Sequence, residues 1–143
     1  MKPGYKIIIG ALIVYGIYHY LSEKSKEELL YKKRVDSIIT DIRHEDYFSL
    51  QNKLAPNISD KISIEDIKQF SKDLNLTKNS KFILNEIDKK SNYIKVVGEI
   101  VTKSKKLQYS GTFIDKNGTL LINSQVINNR KLEATKTTFP INL

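Results

Sequence analysis

The chain has 143 residues, 28% charged and 40% hydrophobic, and a formal net charge of +8. That is enough for one domain and an appendage, since domains run to roughly 100–150 residues, and the composition is neither disordered nor collagen-like. With no Cys and only two His, thiolate zinc sites, disulfide frameworks, Cys nucleophiles and multi-histidine metal cages are excluded.

Residues 1–6 form a short basic tail carrying Lys2 and Lys6. Ile7 to Leu21 then reads IIIGALIVYGIYHYL, without a formal charge. At about 1.5 Å per residue this run covers roughly 22 Å, so its neighbours must help cross a hydrocarbon core of about 30 Å. Lys6 at one end and Tyr15, Tyr18 and Tyr20 toward the other are the expected membrane-interface residues, because amphipathic side chains keep a polar tip in the headgroups. A cleaved signal peptide needs small residues at its exit; Tyr18-His-Tyr-Leu-Ser-Glu-Lys supplies none, so the spacing predicts an uncleaved single-pass anchor over 7–21. Gly4, Gly10 and Gly16 recur every six residues, which is not the four-residue spacing of close helix dimers.

Two orientations compete. Lys24, Lys26, Lys32, Lys33 and Arg34 follow the span, and a literal positive-inside count puts the C-terminus in the cytoplasm. The short basic start matches the n-region of an export anchor, and long domains cross regardless of charge. The second argument gives the expectation: a bacterial inner-membrane protein whose soluble domain, 22–127, lies in the periplasm.

Ser25 and Glu28 fit a capping box, and Leu30, Val35, Ile38, Ile39 and Ile42 form one apolar stripe, predicting an amphipathic helix from Ser25 to Arg43, restarted or continued from the anchor. After His44-Glu-Asp, Asp46 can cap a second helix carrying Phe48, Leu50 and Leu54, and Pro56 stops it. Asn57-Ile-Ser-Asp reads as a loop. Ser63 precedes a third helix with Ile64, Ile67, Phe70 and Leu74 inward and Glu65 and Asp66 in its first turn. From Lys81 the apolar period changes to two.

Four strands are predicted, at about Lys81–Ile87, Tyr93–Lys103, Leu107–Ile114 and Thr119–Ile127, joined by short turns into an antiparallel meander; Asn117-Gly118 is the most specific turn signal. Ile94, Val96, Gly98 and Ile100, then Leu107, Tyr109, Gly111 and Phe113, then Leu120, Ile122 and Val126 make the apolar face. Lys95, Glu99, Gln108, Ser110, Thr112, Asn123 and Gln125 make a wet one. Residues 128–143 read as a weakly patterned tail in which Phe139 to Leu143 can dock on an edge or a partner. The fold class is α+β: an N-terminal transmembrane helix, then three helices on one face of a four-stranded antiparallel meander.

Helices first and then this meander resembles the nuclear transport factor 2-like superfamily over about Ser25 to Ile127, and within it the single-pass inner-membrane scaffold subunits of bacterial type IV secretion systems. A cystatin-like sheet around one helix shares the order. The usual hairpin between the second and third helices is missing or reduced to the loop at 57–61. The resemblance implies a bitopic protein whose extracytoplasmic domain assembles with itself or with other subunits of a larger machine.

Enzymes on such cones use ionisable residues in the pocket, and the predicted apolar face holds almost none. His44, Glu45 and Asp46 read as a helix junction and cap, since three consecutive residues cannot all enter one site from regular structure. No Gly-rich phosphate loop, nucleophile elbow or metal-binding helix pair is present. Net charge falls to +6 beyond the span, because only Lys2 and Lys6 precede it. The lysines are scattered without interleaved aromatics, which favours a solvated surface or membrane-proximal contact over nucleic acid. Lys103, Lys105 and Lys106, at a hairpin tip, are the candidate contact patch.

The expected function is therefore a non-enzymatic structural subunit of an envelope assembly, of secretion-system or flagellar-motor type, with no cofactor, metal, nucleic acid or small-molecule substrate. Its partners are the membrane and other protein subunits, including copies of itself. The alternatives are a ligand-binding or enzymatic cone lined by Tyr109, Phe113 and Ile122, and a cytoplasmic-facing domain binding anionic lipid or nucleic acid.

Overall fold

After Pro3 no proline occurs until Pro56, and Pro3 itself suits a first helical position, where its missing N–H costs nothing. In the computed structural model one uninterrupted helix, α1 (Pro3–Arg43), takes up most of that interval. Ser25 thus sits inside a helix and caps nothing. The structure describes residues 3–72 and 74–133, with side chains from residue 13 onward. Lys6 and Phe139 to Leu143 lie outside the described side chains. The chain divides into two units, Met1–Tyr31 and Lys32–Leu143.

In the first unit α1 carries Ile13, Val14, Tyr15, Ile17, Tyr18, Tyr20 and Leu21, each between 53% and 71% exposed. The rings of Tyr15 and His19 stack one turn apart with centroids 6.2 Å apart. Among the described residues no helix is long and apolar enough to cross a membrane; side chains 7–12 of the expected span lie outside that set.

The second unit is α+β. Val35, Ile38, Ile39 and Ile42 of α1 are buried, as the stripe requires. The left-handed backbone of Glu45 (φ 57°) ends the helix. Asp46 then caps α2 (Tyr47–Asn52), accepting the Ser49 N–H at 3.1 Å. Ser63 and Asp66 form a reciprocal capping box on α4 (Ile64–Ser71). The expected loop at 57–60 contains a one-turn helix, α3 (Pro56–Ser59), with Pro56 at its first position. Two residues expected to face inward point out: Leu30 is 47% exposed and Ile64 38%; Phe48 on α2 is 69% exposed.

Among the described residues the sheet has five strands, not four, in the order β1 (Lys81–Lys89), β2 (Ile94–Val101), β3 (Lys106–Lys116), β4 (Thr119–Ile127) and β5 (Arg130–Leu132), all antiparallel. The first four lie within two residues of their predicted bounds. The fifth falls in the expected tail, folded back by Asn128 and Asn129, both at positive φ. The β3–β4 turn is as its residues demand: Asn117 and Gly118 adopt φ 55° and 87°, the two left-handed positions that match the twist of a hairpin.

One face of β2 and β3 is buried at Val96, Gly98, Ile100, Leu107, Tyr109, Gly111 and Phe113. On β4 the alternation breaks. Phe113 pairs with Ile122 but Thr112 pairs with Ser124, leaving Asn123 as an inserted residue. A bulge shifts every later side chain to the other face, so Gln125 and Ile127 are buried at 0% exposure and Val126 is half-exposed. The expected facing of Gln125 and Val126 is thus reversed. Burying an amide is tolerated because its groups are bonded: Tyr109 donates its hydroxyl to Gln125 Oε1, and Gln125 Nε2 donates to the Ser124 carbonyl at 2.8 Å. Gly111, directly opposite Gln125, leaves the room; a Cβ there would lie 2.6 Å from Gln125 Nε2.

Candidate functional surfaces

The hairpin tip between β2 and β3 is built by Thr102, whose backbone and side chain close on Lys105: Thr102 N donates to the Lys105 carbonyl at 2.8 Å, and Lys105 N donates to Thr102 Oγ1 at 3.1 Å. Lys103, Lys105 and Lys106 are exposed there. The register Lys81–Val101–Lys106 brings Lys81 onto the same end of the sheet. None of these four lysines makes an ion pair among the described residues.

Arg34 Nε donates to the Leu120 carbonyl at 2.8 Å, beside the β3–β4 turn, while Arg43 reaches the Lys78 carbonyl at 3.3 Å, just before β1. The chain therefore enters this unit at the Leu120 end. The eleven residues of β3 put the lysine tip about 35 Å away, at the opposite end.

His44, Glu45 and Asp46 do not converge on a site. Arg43 donates to His44 Nε2 at 2.9 Å, Glu45 provides the turn and Asp46 the cap. Among the described residues no group of three His, Asp or Glu is placed to hold a metal ion. Tyr109, Phe113 and Ile122 are at most 2% exposed, with the Tyr109 ring edge-on to Phe82 at 5.1 Å, so they belong to the packed core. Burial raises the Tyr109 phenol far above its usual pKa, against the pull of the Gln125 hydrogen bond.

A polar cluster not anticipated from sequence joins the helices. Asp41 on α1 is 8% exposed and forms an ion pair with Lys53. Ser49 donates to the same carboxylate at 3.2 Å, and Lys53 Nζ donates to Ser49 Oγ at 2.9 Å. Burial lowers the Arg34 pKa while the Asp41 charge pulls it up. Each member is partnered, which marks a structural clamp. Beyond it, Lys53 and Ala55 bond to both sides of Ile122, at 2.7 and 2.8 Å, and extend the sheet past β4.

Among the described residues, this unit carries two open cavities. One of about 610 Å³ lies between the end of α1, α2 and α4, with Arg43, Glu45, Glu65 and Lys68 on its walls. The other, about 420 Å³, sits on the wet face of the sheet: Tyr93, Lys95, Ser110, Thr112, Asn123, Ser124 and Glu133 line it, with Ile58 at one side. Thr112 and Ser124 share a 2.6 Å hydroxyl contact, and Asn123 Nδ2 donates to Thr112 Oγ1 at 3.1 Å.

No family model, curated protein or solved structure matches the chain.

Proposed function

We propose that this chain is a non-enzymatic, single-pass membrane protein of the bacterial inner membrane, whose α+β unit lies in the periplasm as a structural subunit of an envelope assembly. The observation that carries this is the surface of α1 from Ile13 to Leu21. Its seven large apolar side chains are each more than half exposed, and at 100° per residue they cover more than half of the helix circumference. Leaving them in water forfeits about 25 cal/mol for each Å² of apolar surface, and an apolar helix surface this broad belongs in lipid or a large core. Together with the uncharged residues from Ile7, the run has the composition of an anchor, and the residues flanking Ile7 and Leu21 supply the rest of the length.

The order of helices and antiparallel strands supports a likeness to the nuclear transport factor 2-like scaffolds of secretion machines. An unpaired lysine tip at the end away from chain entry, and an exposed β1 edge, are surfaces on which neighbouring subunits can dock. The reading predicts that amine-reactive and photoactivated crosslinkers, applied to membranes holding the full chain, trap multimers or complexes with other proteins. Monomer alone across reagents of different length would overturn it.

A further inference from the structure

We infer that the cavity on the wet face of the sheet is a binding site for a single-ring sugar, a function independent of the assembly role above. The bulge creates the site. By inserting Asn123, it places Asn123 and Ser124 in succession along the cavity wall, and bulges occur where a strand must re-aim side chains. Their contacts with Thr112 hold the floor rigid. Among the described residues the Ser110 hydroxyl has no hydrogen-bond partner, and Lys95 and Glu133, which both line the cavity, are not paired with each other or with another charge. A free hydroxyl, a free ammonium and a free carboxylate around one space supply both donors and acceptors.

That mixture selects the ligand. A phosphate or other anion would face Glu133, a cation would face Lys95, and an apolar molecule would strip water from hydroxyls and an amide without replacing their hydrogen bonds. A neutral ring with hydroxyls on its rim satisfies all of them, since each hydroxyl both donates and accepts. The remaining need of a sugar is a flat apolar surface for its C–H face. Tyr93 provides one: it is 38% exposed beside the cavity, whereas the other aromatics of the sheet, Phe82, Tyr109 and Phe113, are buried. A volume of about 420 Å³ is within the range of small-ligand sites and holds one hexose with water.

The test is saturation-transfer NMR on the full chain in deuterated dodecylphosphocholine micelles, with glucose, galactose and N-acetylglucosamine as separate probes. Saturation of the ring protons of at least one probe is expected, with millimolar affinity. Tyr93→Ala should weaken that binding at least tenfold and Asn123→Ala severalfold, while Lys103→Glu, outside the cavity, should not change it. If Asn123→Ala loses its fold by circular dichroism, Lys95→Met serves as the second cavity variant, with the same severalfold loss expected. No transfer to any of the three sugars, or transfer that persists undiminished in folded Tyr93→Ala, would overturn the assignment.

Discussion

Replacing Asp41 with alanine is expected to lower the unfolding free energy by about 3 kcal/mol, the lower end of the cost of stripping one partner from a buried ion pair. The lower end applies because the Lys53 and Asp41 side chains keep 14% and 11% of their surface exposed. Without the carboxylate, the Lys53 ammonium retains, among the described residues, only Ser49 as a partner. The damage would spread along the chain: the Lys53 carbonyl accepts the Ile122 N–H at 2.7 Å, so a displaced Lys53 loosens the segment that borders β4. Lys53→Ala should cost a similar amount, and the double variant clearly less than the sum, because one interaction is being removed twice. Urea unfolding followed by circular dichroism measures all three. A cost below about 1 kcal/mol for Asp41→Ala would class the pair with solvated surface bridges.

A comparable loss, about 3 kcal/mol, is expected for Gly98→Val, from overpacking a core that has no slack. Gly98 sits on the buried face of β2, opposite Leu84 and Tyr109. A Cβ there would lie 2.2 Å from the Ile83 carbonyl oxygen and 2.6 Å from the Phe82 ring. The first contact is with backbone next to the β1 bulge between Leu84 and Glu86, so no rotamer change relieves it. Gly98→Ala already makes that contact and should lose more than half as much. Thermal unfolding of the two variants compares them directly. An alanine variant as stable as the parent would mean that β1 moves aside freely and that the Phe82–Gly98–Tyr109 packing is not a constraint.

How much of this was legible in the sequence depended on whether the cause was local. Asn117-Gly118 was readable because both positions of the turn need left-handed backbone and few residue pairs supply it. The faces of β2 and β3 were readable because they alternate without interruption. On β4 the same counting failed after Ile122, since an inserted residue is a property of pairing with β3 and leaves no mark on the period of two. Asn128-Asn129 carried the same conformational signal as Asn117-Gly118 in weaker form, and Pro56 at a first helical position announced α3, yet both were overshadowed by short, polar surroundings. The inward facing expected of Ile64 rests on hydrophobicity alone, in a helix of eight residues where one turn of error decides the face. Asp41 and Lys53 are twelve residues apart and meet only because α2 folds back on α1. The wet-face cavity depends on the bulge and was invisible for the same reason.

The role of the apolar run governs everything else in the account, and fusions of the full chain test it most directly. Alkaline phosphatase and, separately, green fluorescent protein would be joined after Leu143 in a bacterial host, each also in a form with Ile13 and Ile17 replaced by lysine. Phosphatase activity without fluorescence is expected for the parent chain, and loss of that activity in the lysine form, because a charge at the centre of a span costs about 3 kcal/mol. Fluorescence without phosphatase activity in the parent would contradict that expectation, and would place the α+β unit and its lysine tip on the cytoplasmic side.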